Sequence, residues 1–167
     1  MAVDKNQAVI EFLTQCSEFQ NIPLFFNFIN AKDNNIQFLT ESTDVALNKT
    51  FVDGSVLRRY EFTLVITKSI TDLALVKPDL SSEEDVWLSN ENISDLADIQ
   101  SLMDWVNEQG DNRNYPNFGE DCVIENLHTL TDTPNLEGVN TDVTPALAMY
   151  SMSIGIDYID YSKTLWK

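Results

Sequence analysis

An alternating pattern near the end of the chain constrains the fold more than any other feature. In residues 145–161 the side chains fall into two interleaved sets, and one set is almost entirely apolar. That set comprises Ala146, Ala148, Tyr150, Met152, Ile154, Ile156 and Tyr158. Because successive side chains of a strand point to opposite faces, the pattern predicts a long strand with one face in the core.

A strand of this length needs neighbours, and residues 58–67 show the matching alternation. Their apolar set is Tyr60, Phe62, Leu64 and Ile66. We therefore expect a sheet built on these two strands. The Asp53-Gly54-Ser55 sequence just before them is typical of a turn, and residues 50–52 could pair across it.

Shorter strands are predicted elsewhere. Residues 24–29 and 36–41 are apolar runs separated by a polar turn cluster, so we expect them to form a hairpin. Residues 121–130 predict another strand. Residues 131–144 are polar and contain proline and glycine, which predicts a loop.

Two amphipathic helices are predicted, at about 4–19 and 93–109. In both, apolar residues recur at steps of three and four and form one stripe. Asp4 is expected to be the N-cap of the first helix. Gly110 is expected to be the left-handed C-cap of the second.

The predicted fold class is α+β, a single domain over 1–167 with a mostly antiparallel sheet flanked by these two main helices. A chain of 167 residues is long enough to bury a substantial core. Residues 78–91 are predicted to be an acidic loop or insertion that contains Trp87, and 162–167 a C-terminal tail. We expect neither a signal peptide nor a membrane-spanning segment.

The formal net charge is −17, and it is unevenly distributed. Residues 1–68 carry a net charge of −2, whereas residues 69–167 carry −15. This balance argues against binding to a phosphate backbone, which depends on Lys and Arg. It favours a surface that repels DNA, mimics DNA or meets a basic partner. The candidate residues for such a partner or lumen surface are Glu83, Glu84, Asp85, Asp95, Asp98, Asp104 and Glu108.

No pattern in the sequence predicts catalysis. His128 is the only histidine and has no nucleophile signature around it. Cys16 and Cys122 are isolated from each other, so we expect two thiols rather than a zinc site. The segment 111–114 resembles a calcium loop only weakly, because Arg113 stands where an oxygen ligand is needed. We therefore predict no enzyme activity, cofactor or metal.

The order of elements and three motifs resemble one group of proteins. The motifs are FVDGSVLRRYEFTLV at 51–65, LMDWVNEQ at 102–109 and MYSMSIGIDY at 149–158. Over about residues 4–161 the chain resembles the tail terminator, or tail completion, proteins of long-tailed bacteriophages, which are also called minor capsid proteins. The acidic segment at 81–91 departs from that resemblance.

The resemblance implies a virion tail protein that is assembled in the host cytoplasm. It implies a hexameric ring that caps the tail tube protein, joins the head–tail connector protein and lets DNA pass without specific binding. A channel lined with acids would keep a polyanion from adhering. Subunit contacts in a ring are heterologous, so Phe51, Arg58 and Arg59 are candidates to meet the acidic half of a neighbour.

Three alternatives stay open at this point. The basic pair at 58–59 could be two strand charges in solvent rather than a subunit contact. The whole protein could be an acidic DNA mimic that inhibits a nucleic-acid-binding protein, as its charge and small size would allow. A neighbouring connector or tube protein of similar fold would also satisfy the resemblance.

Overall fold

The computed structural model describes residues 3–17, 20, 22–27, 34–40, 45–70 and 90–164. Within these residues it contains two helices and a seven-stranded, mostly antiparallel sheet, which confirms the predicted α+β class. In chain order the elements are α1 (Lys5–Leu13), β1 (Leu24–Phe26), β2 (Asn35–Thr40), β3 (Val45–Thr50), β4 (Val56–Ile70), α2 (Asn90–Asp111), β5 (Cys122–Thr129), β6 (Asn135–Asn140) and β7 (Ala146–Asp160). No helix in this part of the chain is long and apolar enough to cross a membrane.

The two longest strands, β4 and β7, form the centre of the sheet. They pair antiparallel over their whole length, from Val56 opposite Asp160 to Ile70 opposite Ala146. The predicted alternation is confirmed on the core side, where the two strands bury Tyr60, Phe62, Leu64, Ile66, Met152, Ile154, Ile156 and Tyr158. The other face is partly buried as well, because Leu147 and Ser151 are also inaccessible.

Short strands occupy both flanks of this central pair. β3 and β2 follow one another along the free side of β4, while β5 and β6 follow one another along the free side of β7. β3, β5 and β6 each contain a register shift. Bulges of this kind twist an edge away from ready pairing with another sheet.

The helices help enclose the core. Val9, Phe12 and Leu13 of α1 and Ile99, Leu102, Met103 and Val106 of α2 belong to the same buried cluster as the strand residues. Trp105 of α2 contacts Phe12, with ring centroids 5.3 Å apart. The apolar stripes predicted for the two helices are thus confirmed at these residues, but Leu96, the first residue predicted for the stripe of α2, is exposed.

The ends of the helices differ from the prediction. α1 begins after Asp4, whose carboxylate accepts from the backbone N–H groups of Asn6 and Gln7, as predicted for an N-cap. It ends at Leu13, and residues 14–17 form turns instead of a further helical turn. α2 is longer than expected and includes Gly110, so the predicted C-cap is wrong.

The C-terminal end of α2 is closed by Arg113. This residue adopts a φ of 56°, in the left-handed region. The N–H of Asn114 bonds to the carbonyl of Gln109, and the N–H of Arg113 bonds to that of Gly110. These two bonds define a Schellman motif in which an arginine takes the place usually held by glycine.

Two predictions for the strands are also wrong. β1 pairs with β2 in parallel, with Leu24 opposite Ile36, so these strands do not form a hairpin. The predicted loop at 131–144 contains β6, which pairs with β7. The turn at 53–55 is confirmed and joins β3 to β4, with Gly54 at a φ of 88°.

Candidate interaction surface

Arg58 and Arg59 are bound to carboxylates of the same chain. Arg59 lies directly opposite Asp157 in the β4–β7 register, and its Nε and Nη2 donate to the two carboxylate oxygens at 2.6 and 3.0 Å. Arg58 reaches diagonally, and its Nε donates to Asp160 at 3.1 Å. Bidentate pairing of the kind that Arg59 makes fixes an arginine side chain more firmly than an ordinary surface ion pair.

In these two ion pairs, each arginine and its carboxylate stabilise the charged form of the other. The hydrogen bond to Asp157 raises the pKa of Arg59, although burial opposes the effect. Burial would raise the pKa of Asp160, but hydrogen bonds from Ser162 and the nearby charges of Arg58 and Lys5 outweigh it, so the pKa lies below its ordinary value. The basic pair is about one-quarter exposed, with side-chain accessibilities of 23% and 27%. The predicted role of these residues in a subunit contact stays a prediction.

Phe51 lies where β3 turns into β4, in a segment that we call the hairpin tip: Lys49, Thr50, Phe51 and Val52. The Lys49 ammonium is 5.2 Å from the centroid of the Phe51 ring. Val52 next to it is fully exposed. The turn itself is held by the Asp53 carboxylate, which accepts from the backbone and hydroxyl of Ser55. The turn therefore exposes Val52 next in sequence to Phe51, whose half-buried ring lies beside the Lys49 ammonium.

The carboxylates of α2 form the main described part of the predicted acidic surface. Asp98, Asp104 and Glu108 are all exposed. Asp104 accepts a hydrogen bond from Gln100, and Asp98 lies 4.0 Å from the ammonium of Lys68. Asp95 belongs to the first half of the same helix, in a part whose side chains lie outside the described residues. Glu83, Glu84 and Asp85 also lie outside them, as does the predicted loop up to residue 89.

Sequence reasoning missed a second exposed apolar surface, the β6 patch, which comprises Leu136 and Val139. Leu136 and Val139 are 58% and 44% exposed. They face the same side of the sheet because Leu136 lies opposite Tyr150 and Val139 opposite Ala148, with the register shift between them. Leu136 and Val139 are three residues apart, which does not match the two-residue period of a strand. The sequence therefore gives no sign that they share a face, and only the bulge explains it.

Two exposed carboxylates, Glu137 and Asp142, are near this patch in the sequence. Glu137 accepts a hydrogen bond from the Ser151 hydroxyl. Because Ser151 alternates along β7 with Tyr150 and Ala148, the Glu137 side chain reaches the other face of the sheet. The chain contains no lysine or arginine from residue 114 to residue 162. On the face of the β6 patch, the charged side chain in the same row of the sheet is Lys68, which lies opposite Ala148 on β7 as Val139 does on the other side.

The groups that could carry chemistry are dispersed. His128 lies on β5 opposite Gly155, and Cys16 and Cys122 are both free thiols. Among the described residues, no group of three or more His, Cys, Asp or Glu side chains is placed to hold a metal ion. One open cavity of about 230 Å³ is lined mainly by isoleucine and leucine from β2, β4 and α2, with Lys68 and Asp98 at its rim.

Comparison with known proteins gives no family. No protein-family model matches the chain, and no curated protein matches it.

Proposed function

We propose that the protein is a structural virion protein, a tail terminator that forms a hexameric ring on the end of a phage tail tube. The observation that carries this proposal is the order of elements: an N-terminal helix, β4 joined to β3 by the tight turn, the long acidic α2, and β7 as the last strand. The motifs that resemble tail terminators lie on the β3–β4 turn, on α2 and on β7. An antiparallel sheet with helices is the fold that the resemblance implies.

Charge supports the same proposal. DNA must pass through such a ring without adhering, and a net charge of −17 per copy would repel it. The partners would be the tail tube protein below the ring and the head–tail connector protein above it. The ring itself would act in the virion tail as a joint and a passage, without enzyme activity.

Solution mass tests this proposal first. Light scattering is measured at several salt concentrations and at high protein concentration. We expect a six-fold species, favoured by added salt because salt screens the repulsion between acidic copies. Electron microscopy of isolated tail tubes incubated with the protein then shows whether it caps one end. A protein that neither associates nor caps a tube would contradict the proposal.

One observation favours a second candidate function, an acidic DNA mimic that blocks a nucleic-acid-binding protein. Asp104, Glu108 and Asp111 are exposed on consecutive turns of α2. Side chains at these spacings are about 5–6 Å apart, which makes a regular row of negative charge. A DNA mimic would stay small in solution and bind a basic DNA-binding protein, with affinity that falls steeply as salt is added.

A further inference from the structure

The turn between β3 and β4 contains a pair of residues that is chemically labile. Asp53 is followed by Gly54, and the sequence contains no other Asp-Gly pair and no Asn-Gly pair. In such a pair the backbone nitrogen of the glycine attacks the side-chain carboxyl carbon of the aspartate. Water leaves as a succinimide ring closes, and addition of water to the ring then gives aspartate or isoaspartate. Glycine favours ring closure because it has no side chain and its backbone adopts many conformations.

Hydrogen bonds hold both reacting groups of this pair. The Gly54 N–H donates to the carbonyl oxygen of Phe51 at 3.0 Å. One oxygen of the Asp53 carboxylate accepts from the backbone N–H of Ser55 at 3.0 Å and from the Ser55 hydroxyl at 2.7 Å. Ring closure joins the Gly54 nitrogen to the Asp53 carboxyl carbon, so it disturbs the hydrogen bonds that hold each of them. The folded turn therefore opposes the reaction.

Ser55 also lowers the reactivity of the carboxyl group. The hydrogen bond from its hydroxyl is the main cause of the lowered pKa of Asp53, and the charged carboxylate is therefore favoured. A carboxylate is a much weaker electrophile than a neutral carboxylic acid, because its negative charge repels a nucleophile. Ser55 is buried, and its carbonyl oxygen accepts from the Phe51 N–H at 2.9 Å. The turn thus fixes Ser55 beside the carboxylate.

We propose that Ser55 protects the Asp53-Gly54 pair from conversion to isoaspartate. Ser55 is a positioning residue, which keeps the Asp53 carboxylate charged and bound within the turn. Isoaspartate would insert an additional carbon atom into the backbone, and the hydrogen bonds between Phe51 and Ser55 would no longer fit. The hairpin tip would then lose the turn that fixes it. This inference is independent of the proposed ring and concerns the chemical persistence of the folded chain.

Ageing of the folded protein tests the proposal. Wild type and Ser55→Ala are kept at 37 °C and pH 7, and samples are digested with trypsin at intervals. Cleavage after Lys49 and Arg58 releases the peptide 50–58, in which Asp53 is the only aspartate and no asparagine is present. Its isoaspartate form has the same mass and is separated by chromatography. We expect Ser55→Ala to form isoaspartate about tenfold faster than wild type, the scale of one hydrogen bond to a charged group.

Two control variants separate protection by the turn from general stability. Ile154→Val destabilises the core far from the turn and should age like wild type. Ser55→Thr keeps the hydroxyl and should restore a rate close to that of wild type. Urea unfolding shows how much stability each variant has lost.

Three results would overturn the proposal. Equal rates in folded wild type and Ser55→Ala would show that Ser55 gives no protection. A rate in Ile154→Val as high as in Ser55→Ala would show that ageing follows global unfolding and not the turn. In urea that unfolds both proteins, wild type and Ser55→Ala should age equally fast, because the hydrogen bonds of the turn are then absent. A difference that persisted in urea would mean that residue 55 acts without the folded turn.

Discussion

At the scale of single residues, Arg113 is held in a conformation that its side chain disfavours. Its φ of 56° lies in the left-handed region, where a Cβ atom is crowded and glycine is usual. Arg113→Gly should therefore stabilise the fold by about 0.5–1 kcal/mol, measured by urea unfolding at pH 7. Asn112→Gly is the control, because residue 112 does not have a positive φ and glycine there should destabilise slightly. Equal effects of the two changes would contradict the explanation.

Asp160 predicts a pH dependence. Its pKa is lowered in the folded state, so its contribution to stability is present above the unfolded-state pKa and is lost as pH falls through the folded one. Asp160→Asn should cost about 1 kcal/mol at pH 7, which is modest because the pair with Arg58 is partly exposed. The difference between variant and wild type should disappear near pH 2. Asp132→Asn, which removes an exposed carboxylate, is the control and should change little at either pH.

Asp4 and Arg113 show how far local sequence reasoning can predict the ends of a helix. Asp4 could be predicted as an N-cap because its residue type and the following apolar stripe both indicate a helix start. Arg113 could not be predicted as a C-cap, because nothing in an arginine indicates a left-handed backbone, and the glycine three residues earlier suggested the wrong position. The partners of Arg58 and Arg59 depend on the β4–β7 register, which the sequence does not specify to the residue.

At the scale of elements, strict alternation of apolar and polar residues made β4 and β7 predictable, whereas the interrupted alternation of β6 concealed that strand. The bulge in β6 places its exposed apolar residues three apart, so a period of two cannot detect them. The parallel pairing of β1 with β2 contradicts the usual rule that two short runs around a turn form a hairpin. Long-range pairing, rather than local preference, decided both cases.

Packing of α2 on β5 explains the actual role of Gly110. A Cβ atom added there would lie 2.1 Å from the backbone carbonyl oxygen of Leu127, which cannot move without disturbing the strand. Replacing glycine by alanine inside a helix normally gains about 1 kcal/mol, but overpacking costs about 1–3 kcal/mol or more. We expect Gly110→Ala to destabilise the protein by about 1–2 kcal/mol in urea unfolding.

Gly138→Ala is the matched control for this prediction. A Cβ atom at position 138 would lie 3.9 Å from the Met149 side chain, which is an ordinary contact. The substitution should change stability by less than about 0.5 kcal/mol. If Gly110→Ala stabilised the protein instead, the close approach of α2 to β5 would be wrong.

At the scale of the whole molecule, two electrostatic effects oppose each other. The ion pairs of Arg58 and Arg59 with β7 stabilise the folded state, and salt weakens them. Repulsion within a chain of net charge −17 destabilises the compact state, and salt weakens that too. The pairs are short and partly buried, so screening affects them less than it affects charges spread over the surface. Repulsion should therefore decide the response of the protein to salt.

Thermal unfolding between 0.02 and 0.3 M NaCl measures which effect is larger. The midpoint should rise by about 2–4 °C, which corresponds to about 1 kcal/mol for a chain of this size. The rise should shrink in a variant with Asp104→Lys and Glu108→Lys, since both side chains are exposed on α2 and the change replaces two negative charges with two positive ones. A midpoint that fell with salt would mean that the ion pairs outweigh the repulsion. The acidic surface would then cost the fold little, and its charge would need no functional explanation.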